Sequence, residues 1–174
     1  MSFLILKLYR FKYFLQKISG TIVYGKNVSL HYFGNFLVFK NKNLNAKIVL
    51  GDDVYVGKFF DLHTSSKITL SDGVVLSDYV YMSTVAHGIS PRDGLIMKQD
   101  WYDRGEIYIG ENSFIGHGAK VFGNVTLGEW CIVGAGSIVT KSFPSFSMIA
   151  GNPARLIKKY NNQTNCWESV SDIE

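Results

Sequence analysis

A chain of 174 residues with 47% apolar side chains is long enough for one continuous core, yet no apolar run approaches the roughly 20 residues a membrane span requires. The formal charge of +4 is mild. It suits an anionic cosubstrate, and outside the N-terminus no basic stripe with interleaved aromatics marks a nucleic-acid binder. Two cysteines are too few for a disulfide framework, which makes the cytoplasm the expected compartment.

Residues 1–18, "MSFLILKLYRFKYFLQKI", contain no Gly or Pro and are predicted to form a helix. Phe3, Leu4, Leu6, Leu8, Phe11, Phe14, Leu15 and Ile18 occupy most of its circumference. One reading is a membrane-surface or partner-binding helix, with Lys7, Arg10, Lys12 and Lys17 facing anionic headgroups at the inner face of the membrane. The other is a cap over the open end of the domain that follows, preferred because the terminal repeats of a stacked fold need covering. The early charges Lys7, Arg10 and Lys12 interrupt the apolar start, so no cleavable leader is expected.

After an irregular stretch at 31–45, aliphatic residues return at a fixed interval. Leu50, Val56 and Leu62 are six apart, the count slips by two, and Leu70, Leu76 and Met82 resume it. From Ile109 the beat is unbroken through Ile115, Val121, Leu127, Val133 and Val139. A helix repeats at about 3.6 residues and a strand at 2, so neither sustains this period. A short strand plus a tight corner does: six residues make one flat side, and three sides close a triangular coil. The sequence therefore predicts an all-β, parallel β-helix solenoid. Four residues after each of the first five aliphatics of the run from Ile109 comes a compact side chain (Ser113, Ala119, Val125, Cys131, Ser137), so Cys131 is expected in the core.

Between Met82 and Ile109 the interval is not a multiple of six, and "STVAHGISPRDGLIMKQDWYDRGE" is predicted to be a loop ejected from one corner. After Val139, Pro144 and Pro153 end regular coiling, a short helix is expected over 154–160, and the polar residues that follow are expected to be mobile. The predicted organisation is thus an N-terminal helix at 1–18, a coil over 19–143 with its loop at about 84–106, an extension over 144–160 and a tail over 161–174.

The stretch "IYIGENSFIGHGAKVFGNVTLGEWCIVGAGSIVTKSFPSFSMIAGNPARLIKKY", above all "VGAGSIVTKSFP…AGNPAR", resembles the signature of the hexapeptide-repeat acyltransferases. Within that family it is similar to the branch of maltose, galactoside and xenobiotic acetyltransferases and surface-polysaccharide O-acetyltransferases. The resemblance spans roughly residues 48 to 160. It implies a left-handed coil, acetyl-CoA as cosubstrate and a homotrimer with active sites between neighbouring solenoids. Periodicity alone does not select the hand.

The resemblance also locates candidate chemistry. Acyl transfer to an alcohol needs a group that removes the hydroxyl proton, and His has a suitable pKa. His87 stands where the coil gives way to the loop, the place at which family members carry their catalytic His. The plain alternative is a loop His with one backbone hydrogen bond. Asp61, in "FFDLHTS", is the nearest match to an acceptor-contacting Asn of relatives, and it is expected to orient His87, hold a sugar hydroxyl or stand solvated. Trp101 and Tyr102 either wall a sugar ring or pack the loop onto the coil. For the cosubstrate, Gly116, His117, Ala135 and Gly136 match positions along the pantetheine arm, although the glycines are equally explained as corners. Thr140, Lys141, Arg155 and Lys158 match positions facing its phosphates.

The function expected is acetyl-CoA-dependent O-acetylation of a sugar hydroxyl in capsule, O-antigen or exopolysaccharide assembly. N-acetylation of an amino-sugar nucleotide is the alternative. A zinc lyase like the γ-class carbonic anhydrases needs three converging His, and His63, His87 and His117 are far apart in sequence, so no metal is expected. A non-catalytic scaffold leaves the "VTK…AGNPAR" block unexplained.

Overall fold

The computed structural model describes residues 13, 15, 16, 18–40 and 45–170. The six-residue beat becomes three flat sides. The first side stacks Ile22–Tyr24, Lys47–Leu50, Lys67–Leu70, Ile107–Ile109 and Val125–Leu127. The second begins with Ser29–Leu30 and continues through Tyr55–Val56, Val75–Leu76, Phe114–Ile115 and Ile132–Val133. The third stacks Asn35–Val38, Asp61–Thr64, Tyr81–Ser83, Lys120–Phe122 and Ile138–Val139. All of these neighbours pair in parallel.

Parallel pairing without offset places each hexad residue above its counterpart one coil away. Leu50, Leu70, Ile109 and Leu127 form one inward column, Val56, Leu76, Ile115 and Val133 a second, and Leu62, Met82, Val121 and Val139 a third. None is more than 1% exposed. The compact residues are inward as well. Ser113 is buried but satisfied: its Oγ donates to the Gly128 carbonyl (3.1 Å) and accepts from the Cys131 amide (3.0 Å). Burial pushes the Cys131 thiol up from its ordinary pKa, as befits a core cysteine.

The three corners are unequal. At the first, between the first and second sides, and at the second, between the second and third, two-residue turns repeat in register. At the third corner the chain departs from the six-residue count: the Ser65–Ser66 insertion and the long loop after Ser83 both leave there. The loop is a hairpin, with Val85–His87 antiparallel to Trp101–Asp103. Its base is tied down by Ser65 Oγ, which donates to Asp103 Oδ2 at 2.6 Å.

Most of the predicted N-terminal helix, residues 1–12, lies outside the described residues. Its end is helical at Tyr13, Leu15, Gln16 and Ile18. Tyr13 packs on Phe36 and Phe60 and donates its hydroxyl proton to the Gly34 carbonyl, while Gln16 Nε2 donates to the Phe36 carbonyl at 2.9 Å. The first coil is thereby covered at this point.

The C-terminus differs from the sequence expectation. Where a helix was predicted over 154–160, Ala154–Asn161 is a strand, antiparallel to Ser147–Gly151. Of the residues beyond, those described up to 170 include a further antiparallel strand, Cys166–Ser169. The reason is local competition. A seven-residue helix is marginal in water, whereas the last rung of the second side offers a row of unpaired backbone groups that a returning strand satisfies.

The stacked columns carry the stability, so truncating one central member leaves a cavity that its neighbours cannot fill. Leu70→Ala is expected to cost about 2–5 kcal/mol, read from denaturant unfolding. A loss below about 1 kcal/mol would mean the column is not close-packed.

Candidate active site

The hairpin at the third corner carries His87 to a half-buried position. His87 and Trp101 are cross-strand partners, and their rings meet edge-on with centroids 4.6 Å apart. His87 Nδ1 is buried with no hydrogen-bond partner among the described residues. Trp101 in turn packs edge-on against Phe39 (5.0 Å) at the same corner. Tyr102, pointing the other way on its strand and opposite Ala86, is 46% exposed.

Next to this corner, on the outer face of the third side, Asp61 and His63 form a pair. They are two apart on one strand and so share a face, and Asp61 Oδ1 lies 2.7 Å from His63 Nε2. The His63 ring meets Phe39 (6.4 Å) and Tyr81 (5.4 Å), and Tyr81 continues to Phe122 (5.9 Å). One aromatic network therefore joins His87, Trp101, Phe39, His63 and Tyr81. The Asp61 carboxylate is engaged by His63. Phe39, His63 and Tyr81 were not singled out as site residues from sequence. Their signal was the strand alternation that turns Asp61, His63 and Tyr81 outward on adjacent rungs, which becomes legible only once the register is known.

The residues matched to the cosubstrate arm lie elsewhere, along the second corner. Tyr32, Lys58, Asp78 and His117 stack as one line, each carbonyl accepting the amide of the following turn residue one coil on, with Phe59, Tyr79, Gly118 and Gly136 as the donors, and Ala135 occupies the same turn position on the last coil. That second position has left-handed φ throughout: Phe33, Phe59 and Tyr79 occupy it first, then Gly118 and Gly136. The three rings stack on one another (5.3 and 4.8 Å), and the His117 ring closes the stack 5.3 Å from Tyr79. Beyond His117 the corner is bare, and a Cβ on Gly118 or Gly136 would meet nothing within 4 Å. This forms an open ledge, of the kind a slender chain such as pantetheine fits. Gly116 is different: a Cβ there would lie 2.6 Å from the Val133 carbonyl oxygen, so its glycine is required by the coil.

The ledge runs toward Arg155, whose strand partner Ala150 continues the Gly116–Gly134 line. Thr140 and Lys141 belong to the third corner instead, where Lys141 Nζ sits 5.5 Å from the Phe143 ring. Lys158 stands midway along its strand, between Met148 and Ser169. One chain thus gathers Gly116, His117, Ala135, Gly136 and Arg155 on one corner, and His87, Trp101, Thr140 and Lys141 on another. His117 is at the second corner and His63 and His87 near the third, and among the described residues no three His, Cys, Asp or Glu side chains form a metal-binding group.

The chain is similar to known proteins in sequence and fold. Residues 106–141 match the model of the bacterial transferase hexapeptide, six repeats. WcaF of Escherichia coli K12, an acetyltransferase assigned to colanic acid biosynthesis, is 31% identical over 152 residues, covering 87% of this chain and 76% of WcaF. WbbJ of the same strain, assigned as a lipopolysaccharide biosynthesis O-acetyl transferase, is 25% identical over 94% of this chain and 84% of its own length. A solved galactoside acetyltransferase in complex with coenzyme A superposes with a TM-score of 0.70 at 26% identity, over 84% of this chain and 69% of that one. The fold and these likenesses define a left-handed parallel β-helix acyltransferase. The chain belongs to the hexapeptide-repeat acetyltransferase family.

Because Gly116 abuts the next coil, Gly116→Ala is expected to cost about 1–3 kcal/mol and lower Tm by several degrees. An unchanged Tm in thermal unfolding would show that the corner has slack.

Proposed function

We propose that this chain is an acetyl-CoA-dependent O-acetyltransferase that modifies a sugar hydroxyl during surface-polysaccharide assembly, with His87 as general base. The observation that supports this most strongly is His87 itself: an imidazole at the root of the ejected hairpin, held by Trp101, with Nδ1 enclosed and unpartnered. With Nδ1 enclosed, Nε2 is the nitrogen left for the acceptor. It takes the hydroxyl proton as the oxygen attacks the thioester carbonyl. The proton then passes to the departing sulfur, so that acetyl ester and free thiol leave and the imidazole is neutral again. Asp61, His63 and Tyr81 beside it supply acceptors and donors for further hydroxyls, and Trp101 an aromatic wall. His117, Ala135 and Gly136 line the ledge for the pantetheine arm, with Arg155 at its end; Thr140, Lys141 and Lys158 are assigned to the phosphates.

The same reading requires more than one copy. On a single chain the imidazole and the ledge stand on different corners with the third side between them. The second side presents an outward stripe of Tyr55, Val75, Phe114, Ile132 and Met148, all apolar. Burying that stripe against a neighbour in a cyclic trimer brings one copy's third corner to the next copy's second. No helix among the described residues is long and apolar enough to cross a membrane, and association with a membrane surface through residues 1–18 is compatible with this arrangement.

His87→Ala is expected to reduce acetyl transfer by about 10²–10⁴-fold, the usual worth of a positioned general base, while calorimetry shows coenzyme A still bound. Retained turnover would reject the assignment. Thiol release measured with deacetylated polysaccharide and with amino-sugar nucleotides separates O- from N-acetylation: the proposal expects turnover with the former. Phe114→Lys, which places a charge in the apolar stripe, is expected to convert a trimer to monomers by light scattering. A wild-type monomer that still turns over would contradict the shared site.

A further inference from the structure

The C-terminal strands do something the coil does not need. Of the hairpin that ends the second side, Leu156 packs against the core, whereas Tyr160 and Trp167 do not belong to it. They are cross-strand partners on the outward face, beside the first corner. That corner changes character along the coil. Its left-handed position holds Asn27, Asp53, Gly73 and Asn112 on successive turns, residue types suited to positive φ, and then Trp130 and Phe146. Neither ring belongs to the core. The turns are in strict register, since the Trp130, Phe146 and Tyr160 amides donate to the Glu111, Glu129 and Phe146 carbonyls respectively. The four rings line a cavity of about 300 Å³.

We infer that this cavity is a saccharide subsite, taking one pyranose ring of a glycan chain away from the reacting hydroxyl; the inference rests on the saccharide-acceptor reading above. The shape selects the ligand. Phe146 and Tyr160 are tilted by 31° and Tyr160 and Trp167 by 68°, so the walls do not form the parallel slot that a flat heterocycle fills. They form a bowl for a puckered ring whose axial C–H bonds meet aromatic faces. A polar residue stands beside the rings: Glu129 precedes Trp130 at the corner, and its carboxylate can accept from ring hydroxyls. A chain long enough to span several coils, each about 4.8 Å apart, would be gripped here while another residue reacts near the third corner.

The test uses Trp130→Asn, which restores the residue type of Asn27 and Asn112 at this corner and removes one wall. Wild-type and variant protein are applied to an array of bacterial-polysaccharide oligosaccharides of one to eight rings. The variant's Tm, its oligomeric state, its coenzyme A affinity and its acetyl transfer to a monosaccharide and to the retained oligosaccharides are measured in parallel. The expected result is that wild type retains oligosaccharides and the variant binds them about tenfold more weakly, the scale of one lost aromatic contact. KM for the long acceptor rises while kcat, monosaccharide turnover and coenzyme A affinity are unchanged. No retained glycan, or equal retention by the variant, overturns the subsite. A variant with weakened coenzyme A binding or broken assembly also overturns it, by assigning the cavity to the nucleotide end or to an interface between copies. Absence of transfer to any saccharide instead defeats the acceptor reading, whatever the array shows.

Discussion

Parallel stacking in strict register is the constraint from which the rest follows. Each inward aliphatic can be fully buried only if the same position one coil away is also apolar and directly in line, so the coil holds its outline from Ile22 to Val139. The corners are thereby drawn into straight lines. A side chain's line is set by its place in the hexad, and its level by its coil. Function can then be built by changing what occupies a line while the core stays constant.

The three lines are used differently. The first changes from Asn, Asp and Gly to Trp130 and Phe146; the second from a ring stack ending at His117 to the bare Gly118 and Gly136; the third absorbs the insertions, including the hairpin with His87. Glycine at 118 and 136 is therefore a choice of surface as much as of backbone, since Phe59 and Tyr79 show that this turn tolerates a side chain at positive φ. Gly116 shows the opposite case, a glycine fixed by the backbone of the next coil. In the function proposed above, the imidazole on one line and the open ledge on another supply the two halves of an acyl-transfer site.

Much of this was legible from the chain alone because a period of six admits few geometries. The inward residues, the loop after Ser83 and the corner at Gly116 and Gly136 all follow from counting. What was missed depended on register or on edges. The sequence leaves Asp61 three roles (orienting His87, holding a sugar hydroxyl, standing solvated); what it does not show is the pairing with His63 by strand alternation, which is local and polar where the hexad rule speaks only of inward positions. A short helix is expected over 154–160, where Ala154–Asn161 is a strand; the decisive fact, a free sheet edge beside it, is tertiary. Its partner Cys166–Ser169 was masked by a polar composition, although "NNQTN", with Asn165 at positive φ, is a turn signal between Tyr160 and Trp167. Trp130 was legible in principle, as the one aromatic in a run of "G-[DE]-[DN]"-like corners, but its neighbours Tyr160 and Trp167 were not.

Under the proposed function, the imidazole corner of one copy works with the ledge corner of the next. Complementation between two dead subunits tests it most directly: His87→Ala, which lacks the base, and Ala135→Trp, which blocks the ledge, co-expressed in equal amounts. Each mixed trimer then contains one site with both halves intact, so activity is expected to return to about a quarter of the wild-type level, as cyclic threefold symmetry requires. A mixture as inactive as either parent would place both halves of the site on one chain and contradict the account.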